Sequence, residues 1–187
     1  MKKRIIIIGG GLSGLTLAYL ISKKGFDLSI LEASPRLGGR IQTIKGKLET
    51  PLELGATWFS DMHPHLLSLI DELGLQKYPQ FSKGTSVFQT KSFEPPQKFF
   101  IPQAENPSYR LAGGTQKLIE TLAAKLPDQT ISLNTKVTAI NETEKGMILE
   151  TDKGKKLEAD KIVVCIPPQL VSNIAFSPPL PDDISFL

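Results

Sequence analysis

Ile5 to Ile8 form an unbroken apolar run that stops at Gly9-Gly10-Gly11. A run this short and this uniform predicts a strand buried on both faces of a parallel sheet. Past the glycines, Leu12, Leu15, Leu17, Ala18, Leu20 and Ile21 predict a mostly apolar helix. Lys23-Lys24 and Gly25 supply a cationic last turn and a C′ glycine to end it. Phe26 to Leu31 reads as a second buried strand with Leu28, Ile30 and Leu31 as its apolar core. Ile41 to Ile44 and Leu48 predict a hairpin turning near Lys45-Gly46-Lys47. Leu66, Leu67, Ile70 and Leu73, followed by Gly74, predict a short amphipathic helix over 64–73. The stretch from Gln76 to Asn106 is rich in Pro, Lys, Ser and Phe, and reads as short strands and loops. Its phenylalanines, Phe81, Phe88, Phe93, Phe99 and Phe100, either wall a pocket or make a small core.

Thr115 can cap a further helix, with Leu118, Ile119, Leu122, Ala123 and Leu126 along one face and Pro127-Asp128 at its end. Short strands follow at Ile131 to Leu133, Val137 to Asn141, Met147 to Thr151 and Lys155 to Glu158. Turns at Glu144-Lys145-Gly146 and Asp152-Lys153-Gly154 join the last three into a β-meander. Ile162 to Ile166 then returns as a buried parallel strand.

The glycines between the first strand and helix carry the chemistry. Gly9, Gly11 and Gly14 fit G-x-G-x-x-G: one for the tight turn, one for close approach to a pyrophosphate, one for helix–strand packing. The helix N-terminus, with free N–H groups and partial positive charge, then faces the phosphates. Glu32 ends the second strand, where an acid can hold the adenosine ribose hydroxyls. Its carboxylate would repel a 2′-phosphate, which argues against NADP and leaves NAD and FAD. Gly38-Gly39-Arg40 favours FAD: the glycine pair lets the chain pass close to the dinucleotide, and Arg40 offers phosphates a planar fork of donors. These elements predict an α/β, Rossmann-like FAD/NAD(P)-binding fold: a parallel sheet, an inserted β-meander and a short partial substrate-domain segment.

With 187 residues, 40% apolar and 22% charged, the chain can bury one good core and a small appendage. Its apolar runs are too short for a membrane span. A net charge of +3, with dispersed lysines, does not argue for nucleic acid, and the lysines read as solvated faces. The single cysteine, Cys165, excludes an internal disulfide framework and fits a reducing cytoplasm. Inside an apolar strand it predicts a buried, inert thiol. His63 and His65 flank Pro64, but no set of Cys, Asp or Glu completes a metal site, so both read as surface or capping residues. Ser13 has no partner base, which makes it a binder and not a nucleophile.

Four blocks resemble the flavin-containing amine oxidase superfamily, which includes monoamine and polyamine oxidases, with protoporphyrinogen oxidases and carotenoid desaturases as relatives. They are the glycine loop through Arg40; Glu53-Leu54-Gly55-Ala56-Thr57-Trp58; Leu111-Ala112-Gly113-Gly114; and Ala159 through Ile166 with the exit Pro167-Pro168. The resemblance implies FAD as cofactor, with Gly9, Gly11, Ser13 and Gly14 on the pyrophosphate and Glu32 on the ribose. Gly39 and Arg40 would line the phosphate side, and the backbone of Val137 would meet the adenine. Gly55, Ala56, Thr57 and Trp58 would approach the isoalloxazine. Ala56 stands where the family often has glycine, and Trp58 as a plain core aromatic stays open. No side chain is assigned a catalytic role, and no metal is implied.

The implied organisation is an FAD-binding domain in two parts, 1–75 and 109–170, around a short substrate-domain insert at 76–108. Residues 171–187 would begin a second, truncated substrate segment. The implied activity is oxidation of a small amine, or a similar activated carbon, by hydride transfer to flavin. The implied partner is the missing carboxy-terminal half of the fold. A non-catalytic FAD- or ADP-binding fragment is the alternative. A third reading, an NAD-dependent dehydrogenase, is weakened by Gly38-Gly39-Arg40 and the β-meander.

Overall fold

The structure, a computed structural model, describes residues 2–47 and 50–181. Leu48 of the expected hairpin and Asp182-Asp183 of the tail lie outside the described residues. The chain opens with β1 (Arg4–Ile8), α1 (Leu12–Ser22) and β2 (Asp27–Leu31). The hairpin β3 (Thr43–Lys45) and β4 (Pro51–Glu53) follows, then α2 (Pro64–Glu72). Next come β5 (Lys77–Pro79), β6 (Gly84–Phe88), β7 (Gln97–Ile101) and β8 (Tyr109–Leu111), which lead to α3 (Gln116–Ala124). The last part holds β9 (Ile131–Ser132), β10 (Val137–Thr143), β11 (Gly146–Thr151), β12 (Lys156–Ala159), β13 (Lys161–Val164), α4 (Pro168–Val171) and β14 (Ala175–Ser177).

The central sheet is parallel, in the order β13-β1-β2-β9. The isoleucine run explains its place in the middle. Successive strand residues face opposite ways, so Ile7 points to one layer while Ile6 and Ile8 point to the other. Ile7 and Ile30 pack with Leu15 and Ala18 of α1, Ile70 of α2, and Leu118, Ile119 and Leu122 of α3. Ile6, Ile8 and Leu31 pack with Val137, Ile140, Leu149 and Ala159 of the meander. The sheet is therefore the shared wall between a helical layer and a β layer. Burying each such side chain stabilises the fold by about 1.5–3 kcal/mol.

Several sequence expectations need correction. The meander sheet has four strands, β12-β11-β10-β14, because β14 pairs in parallel with β10 where no strand was predicted. Thr115 does not cap α3 with its own side chain. Glu53 accepts from the Thr115 N–H at 2.7 Å, and Thr43 Oγ1 accepts from the Gln116 N–H at 2.9 Å. Lys156 and Lys23 do lie on solvated faces, as expected, and each pairs there with an acid, Lys156 with Glu150 at 2.8 Å and Lys23 with Glu72 at 3.1 Å. The phenylalanines of the insert do not make a small core: Phe81 is 82% exposed and Phe93 80%.

Candidate functional site

The turn from β1 to α1 is built by contacts that exclude side chains. Gly9, at φ +110°, donates its N–H to the Leu31 carbonyl at 2.9 Å, and a Cβ there would lie 2.6 Å from the Cys165 carbonyl oxygen. At Gly14 a Cβ would collide with the Gly9 carbonyl oxygen, so only glycine lets α1 sit this close to the turn. Gly11 is different. Nothing lies within 4 Å of where its Cβ would be, so this face of the turn is open. Gly11 is also the N-cap of α1, and no side chain caps it. The first-turn amides, with the exposed Ser13 among them, therefore offer a partial positive charge to an anion.

Glu32 stands at the mouth of this turn. One carboxylate oxygen accepts from the Gly10 N–H at 2.6 Å, the other from the Ser34 N–H at 2.8 Å. Each oxygen keeps lone-pair capacity for a further donor. The main chain of 134–137 is fastened beside it: Thr135 donates to the Glu32 carbonyl at 2.9 Å and Asn134 to the Ser34 carbonyl at 3.1 Å. Val137 follows, 4% exposed, with its side chain in the core and a shift of register after it in β10. Only its backbone is available to a ligand.

The loop 38–40 closes over the turn. Gly38 donates to the Gly10 carbonyl at 2.9 Å, and a Cβ on Gly39 would lie 3.5 Å from the Gly11 Cα. Arg40 is exposed. Its carbonyl accepts from the Ala56 N–H at 3.0 Å, and Gly55 has no room for a Cβ against the same oxygen. The segment 55–58 is thus fixed beside the phosphate loop. Thr57 Oγ1 is buried without a hydrogen-bond partner, and Trp58 is 68% exposed, so it is not a core aromatic. Cys165 lies just past β13, not inside it, and is half-buried. Burial pushes its thiol above the usual range, and a hydrogen bond with Ser13 partly offsets this.

The predicted residues therefore come together at the carboxyl ends of β1 and β2, where ligands of open α/β sheets bind. An open Gly11 face, uncapped amides, an acid at the mouth of the turn and an orphan hydroxyl fit an adenine dinucleotide. A cavity of about 770 Å³ opens at the opposite edge, lined by Lys2, Arg4, Asp27, Gly146 and Asp160, and has none of this chemistry. The sequence reading missed Arg36, whose guanidinium bonds three main-chain carbonyls of the loop. Its only signal was its place in Arg-x-Gly-Gly-Arg, which does not say which arginine faces the chain itself. Among the described residues no group of His, Cys, Asp and Glu could hold a metal, and no helix is long and apolar enough to cross a membrane.

The model of the flavin containing amine oxidoreductase family matches residues 12–99 and 87–185. A probable flavin-containing monoamine oxidase A of Dictyostelium discoideum is 34% identical over 128 residues, covering 67% of this chain and 28% of that protein. A putrescine oxidase of Kocuria rosea is 36% identical over 90 residues, 47% of this chain and 18% of that protein. In fold the chain resembles a putrescine oxidase solved with putrescine bound, at a TM-score of 0.83 and 21% identity. That match takes in 98% of this chain and 62% of the other. Cyclohexylamine oxidase of Brevibacterium oxydans gives a TM-score of 0.85 at 17% identity, over 99% of this chain and 62% of that one. The chain thus spans less than two thirds of each of these relatives. It belongs to the flavin containing amine oxidoreductases, a family whose cofactor is FAD.

Proposed function

We propose that this chain is the ADP-binding portion of an FAD-dependent amine oxidoreductase acting on a small amine or a similar activated carbon. One observation carries the reading: the Glu32 carboxylate sits 2.6 Å from the Gly10 N–H, at the mouth of an otherwise open glycine turn. When bound, FAD supplies a flavin able to accept hydride from a C–H next to nitrogen. The chain's own residues bind and orient. Gly11, Ser13 and Gly14 receive the pyrophosphate on main-chain amides, Gly9, whose N–H is held by the Leu31 carbonyl, contributes the shape of the turn, and Glu32 accepts from the ribose hydroxyls. Gly39 and Arg40 flank the phosphates, and the Val137 backbone meets the adenine. Gly55, Ala56, Thr57 and Trp58 face the isoalloxazine, for which the unpartnered Thr57 hydroxyl has a free hydrogen bond.

The exposure of Trp58, in the segment proposed to meet the ring, supports a second reading for the polypeptide alone. The ring side of the site is open to water, so the chain holds FAD weakly and turns nothing over until the rest of the fold, its partner, covers it. We assign 1–75 and 109–170 to the FAD-binding domain, 76–108 to the substrate side, and 171–187 to the start of a second substrate segment. A reducing, cytoplasmic location belongs to the same proposal. Calorimetry with ADP is expected to show binding that Glu32→Ala weakens at least about tenfold, since one charge-assisted hydrogen bond is worth roughly 1.5–3 kcal/mol. Equal affinity in that variant removes Glu32 from the site. Gel filtration after mixing with FAD should leave little yellow protein, and amines should yield no hydrogen peroxide. Robust flavin retention with turnover rejects the fragment reading.

A further inference from the structure

We propose that Arg36 is a positioning residue for the cofactor site: it fastens the phosphate-side loop and, through it, the ring-side loop. Its Nη1 donates to the carbonyls of Leu37 at 3.2 Å and Ile41 at 3.0 Å, and its Nη2 to that of Gly39 at 2.8 Å. The loop so gripped contains Gly38 at φ +106° and Gly39 at φ +56°. Two glycines in such conformations have many alternatives open to them, so an external clamp is what keeps the loop in one shape. A guanidinium can do this because it carries five N–H donors in a rigid fork.

The clamped loop passes its position on. The Arg40 carbonyl accepts from the Ala56 N–H at 3.0 Å and the Gln42 carbonyl from the Leu54 N–H at 2.8 Å. On the other side, Ser34 Oγ donates to the Arg36 carbonyl at 2.6 Å, while the Ser34 N–H donates to Glu32. Arg36 is the midpoint of a hydrogen-bonded chain running from Gly10 through Glu32 to Ala56. The two arginines of Arg36-Leu37-Gly38-Gly39-Arg40 therefore divide the work: Arg36 spends its charge on main-chain carbonyls, and the exposed Arg40 is left for the ligand.

The ligand part of this inference rests on the FAD reading above; the clamp does not. The test compares Arg36→Gln, Arg36→Lys and Arg40→Ala, all at exposed positions. In ligand-free protein, both Arg36 variants should speed hydrogen exchange at the Ile41, Leu54 and Ala56 amides by at least about tenfold, with the Ile7 and Ile30 amides unchanged. Arg40→Ala should leave all of them alone. ADP affinity should fall about tenfold in Arg36→Gln. Adding Arg40→Ala to that variant should then cost less than Arg40→Ala costs alone. Unchanged exchange in Arg36→Gln overturns the clamp whether or not ADP binds. Faster exchange with wild-type ADP affinity overturns the positioning role. Failure of the wild type to bind ADP strikes the FAD reading instead, and the exchange result still decides the clamp.

Discussion

Gly11 and Gly14 lie three positions apart on one turn and do opposite jobs. Gly14 is glycine because the Gly9 carbonyl occupies the space a methyl would need. Gly11 has that space free, and its φ of −76° suits any residue. Gly14→Ala should therefore destabilise the fold by about 1–3 kcal/mol, the usual result of forcing a methyl into a packed contact. A lower urea midpoint would record it. Gly11→Ala should leave that midpoint unchanged and abolish ADP binding, because its methyl stands where the proposed pyrophosphate lies. A Gly11→Ala protein that binds ADP normally would move the phosphates elsewhere. Both roles, spacing at Gly11 and packing at Gly14, were legible from the motif, and the structure supplies the contacts that distinguish them.

Helices α1 and α2 are joined by a small polar clasp. The Tyr19 hydroxyl donates to Glu72 at 2.7 Å, and Lys23 reaches both of them at 3.1 Å. The hydrogen bond from Tyr19 and then that from Lys23 hold the Glu72 carboxyl below its usual 4.5. A depressed carboxyl contributes stability above its unfolded value and loses it as pH falls through the folded one. Lys23 is raised above 10.5 by Tyr19 and Glu72, so its contribution is present below that value and fades at higher pH. Thermal melts of Glu72→Gln should accordingly show a shallower loss of stability below pH 4.5 than the wild type. Identical acid limbs would mean that water screens the clasp completely.

The elements themselves were largely readable where their apolar period is local, as in β1, α1, β2, α2 and the meander. What escaped depends on distant partners. Nothing near Ala175–Ser177 announces that β10 awaits it, and Thr115 resembles a cap although Glu53 and Thr43 do the capping. The Arg36 contacts are short in sequence but need the loop's shape to be seen.

For the molecule as a whole, the ribbon β6–β7 is apolar surface that stays outside the core. Facing residues in the ladder share a side, so Phe88, Phe99 and Ile101 lie on one face while Val87 and Phe100 lie on the other. A two-stranded ribbon apolar on both faces has no core of its own. Phe99 and Phe100 are 50% and 64% exposed. Replacing both with serine should raise solubility while shifting the unfolding free energy by no more than about 0.5 kcal/mol. A large drop in the urea midpoint would show that the ribbon is packed after all.

The strand that begins the sheet is also the strand completed last. Ile5 to Ile8 bond on one side to residues 27–31, made soon after them, and on the other to 161–164. A ribosome releasing the chain from its amino end produces β1, α1 and β2 early, yet one edge of β1 then waits through more than a hundred residues of synthesis. For most of that wait, until β10 to β12 emerge, Ile6 and Ile8 also have no β layer to cover them. A nascent chain arrested before Lys161 carries a sticky, half-zipped edge, and that is the stage at which a chaperone has most to hold.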